Sequence, residues 1–389
     1  MSGSFGWGGS DRRDYRDRSD SSEDIYSRTD YSRARRGYST PAPTYRCSCG
    51  KEVNYSGDLC WGCKDKAAKD KAVKDQASRA WNPSPAVQAP PKPAPKPAAS
   101  VVWQHNHVPV PPHSFNRRPH GKTLKSTAKA VIQVVVDVTG SIRSWVPEIF
   151  RRLPLMFGEA QKFLGDDLQI LFITYGDVKY GDVIEVIDFA SGPLLDDHLE
   201  ALNTEASGGG DGEESPEIVA HWLLHAVDTG SAKHVFTFFI TDEAGAESMA
   251  SRYCLQGVGI SKDEELDTAK DTFSCLRRKG EVFTVLAHTA DHNYYVKSCS
   301  YDIDGYWNRV LGSDHVLPLH DQRRVVDVML GAVAKVTSQY DTFTQALSAR
   351  QAGTRYTDEN LGTVHASLSM VPGGPSAPPP DPRRRDLSR

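Results

Sequence analysis

The sequence predicts an α/β fold: a doubly wound, mostly parallel sheet flanked by helices, with a small N-terminal cysteine-bearing segment and disordered tails. Three observations predict it. Residues 131–141 read VIQVVVDVTGS, residues 168–175 LQILFITY and residues 234–240 HVFTFFI. Such unbroken apolar runs of strand length suit strands covered on both faces. Stretches of helical period lie between them, and the first and third runs end in oxygen-bearing side chains, Asp, Thr and Ser after the first and Thr, Asp and Glu after the third.

The first run ends in Asp137, Thr139 and Ser141, spaced i, i+2 and i+4 around a Thr-Gly turn. A hard divalent cation such as Mg²⁺ takes oxygen ligands in octahedral array and keeps some water. One carboxylate and two hydroxyls can fill half such a shell and leave a position open. The same residues also suit a plain strand-to-helix turn, with Thr139 or Ser141 capping the helix. Beyond the turn, Ile142, Trp145, Val146, Ile149, Phe150 and Leu153 recur at helical spacing. Pro147 is tolerable near that helix start, whereas Pro154 must kink or break it. Residues 183–189, VIEVIDF, alternate as a more exposed hairpin strand would.

The next loop, residues 206–217, reads ASGGGDGEESPE and leads into a helix whose apolar stripe is Ile218, Val219, Trp222, Leu223, Ala226 and Val227. The three glycines let the backbone bend and approach closely, with Asp211 directly after them; they equally suit a flexible loop. The third run ends in Thr241, Asp242 and Glu243, where Asp242 could also be a turn or N-cap aspartate. Residues 263–279 read as a charged helix with Leu266, Ala269, Phe273 and Leu276 inward. Residues 282–287 and 315–319 read as strands, and a long final helix is expected from about Gln322 to Leu347.

The Asp-x-Thr-x-Ser turn, the Gly-Gly-Gly-Asp-x-x-Glu loop and the strand ending in Thr-Asp together resemble the metal-ion-dependent adhesion site of the von Willebrand factor A superfamily, intracellular type. The resemblance covers residues 126–349. It implies a Rossmann-like sheet with Asp137, Thr139, Ser141, Asp211 and Asp242 around one Mg²⁺ or Mn²⁺ at a single sheet edge, and Asp242 holding a metal-bound water. It also implies an open position that accepts an Asp or Glu carboxylate from a protein partner. Thr139 stands where the family usually has Ser, Glu243 where it usually has Gly, and Asp211 in the loop where adhesion-type members place a directly ligating Thr, so the resemblance leaves its contact either direct or through water.

Ahead of this domain, Cys47, Cys49, Cys60 and Cys63 form two close pairs in a segment too short for a core. Four thiolates can close a tetrahedral structural Zn²⁺ site, and residues 45–65 resemble a small zinc ribbon. Cys254, Cys275 and Cys299 are scattered singly, so the seven cysteines do not form a disulfide framework. A reducing, cytoplasmic setting fits them. Residues 1–44 mix Arg, Asp, Ser, Gly and Tyr with few aliphatics and are expected to be disordered. Residues 66–125 read as a short polar helix followed by a Pro-rich spacer, and residues 350–389 as a disordered Pro/Arg-rich tail. Gly121-Lys122-Thr123 is no phosphate loop, because Asn116 stands where its first glycine belongs.

The net charge of −4 supplies no global pull toward nucleic acid or membrane. No apolar run is long enough to span a bilayer. No catalytic motif is evident: a haloacid-dehalogenase-type site needs a second aspartate where Thr139 stands, and no nucleophile elbow or His-Glu-x-x-His occurs. The expected function is a metal-dependent protein-interaction module, an adaptor or scaffold. The alternatives are a zinc-ribbon adaptor whose Arg/Tyr-rich N-terminus makes weak nucleic-acid contacts, and behind it a metal-dependent hydrolase.

Overall fold

The computed structural model describes residues 45–46, 52–53, 107–208, 212–230, 232–266, 268–294, 296–297, 301–351 and 358–374. The chain divides into two units, Met1–Ala98 and Ala99–Arg389. In the first, Tyr45–Arg46 pairs antiparallel with Glu52–Val53. Cys47, Cys49, Cys60 and Cys63, the tail 1–44, the expected polar helix and most of the Pro-rich spacer lie outside the described residues.

The second unit is mixed α/β, with a mostly parallel central sheet flanked by helices. Its sheet comprises β1 (Ala130–Asp137), β2 (Leu168–Tyr175), β3 (Glu185–Val186), β4 (His234–Thr241), β5 (Glu281–Ala287) and β6 (Val316–Leu319), in spatial order β6-β5-β4-β1-β2-β3. Only β3 runs antiparallel to its neighbour. The apolar run predicts β1 as central, and all eight of its residues are buried. Its one polar interior side chain, Gln133, accepts a 2.7 Å hydrogen bond from Thr237 Oγ1 on β4, so the amide oxygen is not orphaned. The expected hairpin strand shortens to Glu185–Val186. Between the Ile173–Val186 pair and the Ile170–Ala190 bridge the register slips by one residue, a bulge that ends regular pairing.

The helices, in chain order, are α1 (Val146–Arg152), α2 (Pro154–Leu164), α3 (Leu194–Ala201), α4 (Pro216–Ala226), α5 (Ser251–Val258), α6 (Ala269–Arg277), α7 (Ala290–Tyr294), α8 (Ile303–Leu311), α9 (Val325–Val336), α10 (Tyr340–Gln351) and α11 (Asp358–Ser367). Alternate sheet residues face two cores. Ile132, Val134 and Val136 pack with Ile149, Met156 and Met329 on one face, and Val135, Ile173 and Phe239 with Trp222, Phe273 and Trp307 on the other. Pro154 does break its helix: α1 stops at Arg152 and α2 starts with the proline at its first position. The charged helix begins at Ala269 rather than 263, capped by the Thr268 side chain on the Asp271 N–H.

Two expectations need correction. The long final helix is two helices, because Ser338 turns left-handed at φ 59° and the Thr337 hydroxyl bonds back to the Val333 carbonyl at 2.8 Å. The boundaries 126 and 349 are also too narrow. Upstream, Phe115 packs on the core and the Arg117 carbonyl accepts from the Val186 N–H at 2.7 Å. Downstream, Val364, Leu368 and Val371 are buried against the rest of the unit, so the expected 350–389 tail contributes α11 to the core. Gly331 of α9 makes this contact possible, since a Cβ there would collide with Leu368 Cδ1. Gly331→Ala should therefore destabilise the unit by about 1–3 kcal/mol through overpacking, read as a lower urea midpoint. An unchanged midpoint would mean that α11 yields without cost. Among the described residues, no helix is long and apolar enough to cross a membrane.

Candidate metal centre

The chain runs from β1 to β2 to β3 in one direction and then returns to place β4 on the other side of β1. The order therefore reverses between β1 and β4. In open α/β sheets, the crevice outside the strand carboxyl ends at such a switch point is where ligands bind. Asp137 ends β1, and Asp242 follows directly after β4.

Their side chains meet. Asp137 Oδ1 accepts from the Thr139 N–H at 2.9 Å and from Thr139 Oγ1 at 2.6 Å. Thr139 Oγ1 lies 3.3 Å from Ser141 Oγ, which donates to Asp242 Oδ1 at 2.8 Å. Thr241 Oγ1 donates to Asp137 Oδ2 at 2.7 Å and so ties β4 to β1 beside Asp242. Thr289, just past β5, donates to Asp242 Oδ2 at 2.6 Å. Asp137, Thr139 and Asp242 are buried, and Ser141 is half-buried.

Four of the five sequence-predicted residues thus form one hydrogen-bonded group. Asp211 lies outside the described residues, but both ends of its loop are anchored here. On the entering side, the Ala206 N–H donates to the Val138 carbonyl at 2.8 Å, and Asp182 accepts from the Ser207 and Gly208 N–H groups at 3.1 and 2.8 Å. On the leaving side, Glu213–Glu214 pairs in parallel with Ala244–Gly245, two residues beyond Asp242.

Among the described residues, the electrostatics are those of acids gathered without a counter-charge. Burial raises the Asp137 pKa above the ordinary carboxylate range, although the bonds from Thr139 and Thr241 pull it back. Burial, and then the Asp137 charge, raise Asp242 well above that range against the bonds from Thr289 and Ser141. Glu214, absent from the sequence-derived set, is pushed up to about 11 by burial and by Asp137, Glu243, Asp177 and Asp182. Its Oε2 is buried with no hydrogen-bond partner among the described residues. A Cβ on Gly208 would lie 3.2 Å from Glu214 Oε1 and 3.3 Å from Thr139 Cβ, so Glu214 and Thr139 flank the same glycine. The sequence did carry a signal for it, as the Glu of the Asp-x-x-Glu loop.

Hydroxyl pairs, clustered carboxylates and an orphaned buried carboxyl oxygen are a donor set that fits a hard divalent cation. The positive charge would reverse the upward shifts, since an opposite charge favours the ionised form.

No family model and no curated protein matches this chain. Among solved structures, it is similar to the pilus adhesin SpaC of Lactobacillus rhamnosus GG in its open conformation, at 14% identity and TM-score 0.38 over 58% of this chain and 31% of that one. It is also similar to proximal thread matrix protein 1 of the mussel byssus, at 9% identity and TM-score 0.36 over 56% of this chain and 49% of that one. The chain thus spans about a third to a half of the length of these structures, and neither likeness bears on function.

Proposed function

We propose that the second unit is a von Willebrand factor A-type module that binds Mg²⁺ or Mn²⁺ through Asp137, Thr139, Ser141, Asp211 and Asp242. It would act inside the cell as an adaptor or scaffold for a protein partner. One observation carries the reading: the chain of hydrogen bonds from Asp137 through Thr139 and Ser141 to Asp242, with Thr241 tying Asp137 to the neighbouring strand, at the switch point of the sheet. When bound there, the cation would supply a Lewis-acidic position for an Asp or Glu carboxylate of the partner. Thr139 and Ser141 present their hydroxyls side by side. Asp137 fixes the first through Oδ1 and Asp242 the second, while Thr241 and Thr289 hold the two carboxylates in orientation.

Thermal unfolding of the full chain tests the metal. Mg²⁺ or Mn²⁺ at a hundredfold excess over its Kd should add about 2.7 kcal/mol by mass action. Asp137→Ala and Ser141→Ala should lose that gain. Asp137→Ala leaves Thr139 and Thr241 donors without their acceptor, which costs on the order of 1–3 kcal/mol whatever the ion does, so the decisive reading is the ion-induced increment. No increment in the wild type, or an equal one in both variants, would overturn the metal site. The partner is tested by capture from source cells. The reading expects proteins that are retained in Mg²⁺, released by EDTA and not retained by Asp137→Ala.

The four cysteines enter the proposal as a structural Zn²⁺ site in the first unit, supported by their spacing and by the antiparallel pairing of Tyr45–Arg46 with Glu52–Val53 on either side of Cys47 and Cys49. The 40–80 fragment should bind one zinc and lose its circular dichroism signal on chelation, because it has no core to hold it otherwise. A purified fragment free of zinc would refute this.

A further inference from the structure

Behind the Asp242 backbone lies a second group of donors of a different chemical kind. His288 follows β5 directly, His292 lies in α7 and Asp304 in the first turn of α8. One ligand atom from each lies within 4.8 Å of the other two.

The tautomer of His292 can be worked out from its neighbours. Its Nδ1 is 3.0 Å from the Asp242 carbonyl oxygen, which can only accept, so Nδ1 carries the proton. In the neutral ring Nε2 then holds a lone pair. Nε2 faces Asp304 Oδ2 across 3.8 Å. The gap is too long for a hydrogen bond. It is close to the roughly 3.3 Å edge of a tetrahedron with bonds of about 2.0–2.1 Å to nitrogen and oxygen. Donation from one ring nitrogen to a backbone carbonyl is how the tautomer and orientation of a metal-ligating histidine are fixed.

His288 adds an independent observation. Its Nε2 is buried and has no hydrogen-bond partner among the described residues. The ring packs between two other imidazoles, with centroids 4.6 Å from His292 and 4.5 Å from His320.

We infer that His288, His292 Nε2 and Asp304 form a site for a borderline divalent transition metal, Zn²⁺ above all, distinct from the hard-cation site around Asp137. Two imidazoles and one carboxylate suit Zn²⁺ rather than Mg²⁺, and three protein ligands leave the fourth position to water or an incoming group. Thr289 ties the two sites together: its hydroxyl donates to Asp242 Oδ2 and accepts from the His292 N–H at 2.9 Å. The inference does not rest on the Mg²⁺ reading.

The test uses the full chain with Cys47, Cys49, Cys60 and Cys63 all replaced by Ser, so that thiolates do not contribute. The protein is stripped with chelator, loaded with Zn²⁺ in excess Mg²⁺ and desalted, and its zinc is counted by metal analysis. One zinc per chain is expected. Asp304→Ala changes a half-exposed helix residue and should fold, as circular dichroism will verify, yet bind zinc at least ~100-fold more weakly, beyond the loss that follows removal of an outer partner. His288→Ala should behave likewise. Absence of zinc from the cysteine-free chain, or undiminished zinc in folded Asp304→Ala, overturns the assignment. The ion-induced thermal increment with Mg²⁺ should survive in Asp304→Ala, so failure of one site is distinguishable from failure of the other.

Discussion

Cutting the chain after Gln351 is expected to bring the second unit to the edge of unfolding. The cut removes α11 and with it the buried side chains of Val364, Leu368 and Val371. Each is worth about 1.5–3 kcal/mol when fully buried, so a loss of roughly 4.5–9 kcal/mol follows. It also strips the Leu368 and Val371 carbonyls from Lys335 Nζ, at 2.6 and 3.1 Å. It leaves the groove over Gly331 open to water. Domains of this kind are stable by only about 5–15 kcal/mol, so the shortened chain should unfold in far less urea and bind a hydrophobic dye under native conditions. A urea midpoint within error of the full chain would show that α11 contributes nothing to the core.

The second large effect is expected from Glu217→Gln, and only above mildly acidic pH. Glu217 sits in the first turn of α4, buried, with Oε2 unpartnered among the described residues. Burial pushes its pKa up to about 8, against bonds from its own N–H and that of Ala246. Below pH ~4.5 the group is protonated both folded and unfolded, and contributes nothing. Between that pH and 8 the unfolded chain releases the proton while the folded one keeps it, so stability falls by about 1.4 kcal/mol per pH unit; above 8 the loss is complete. The wild type should therefore lose roughly 3 kcal/mol between pH 5 and 7.5 that Glu217→Gln does not lose. Denaturant titrations of both proteins at the two pH values measure the difference. Parallel pH profiles would mean that Glu217 is ionised in the folded protein.

What the sequence made legible follows from where each residue sits. The runs that become β1, β2 and β4 are buried on both faces, so apolarity alone marks them. Pro154 breaks a helix by its own covalent geometry. Asp137, Thr139 and Ser141 lie on one turn, and the switch in strand order brings Asp242 to it. The break at Ser338 left no such mark, because a serine in the left-handed region carries neither glycine nor proline to announce it. The segment forming α11 was hidden by the Pro/Arg composition around it, although Leu361, Val364, Leu368 and Val371 recur at helical spacing. His288 and His292 stand four apart, a pattern without meaning until Asp304 is brought against it from α8.

The position of β1 has a consequence during synthesis. Its partners on the two sides are made at very different times: β2 follows directly after α1 and α2, but Thr241, which bonds Asp137 across the β1–β4 seam, lies 104 residues downstream. At a translation rate of about 5–20 residues per second, the ribosome holds an apolar strand with one open edge for roughly 5–20 seconds. An unpaired apolar edge is a template for association with other chains. The centrality that leaves β1 no free edge in the finished protein therefore makes it the segment most in need of shielding while the chain is still growing.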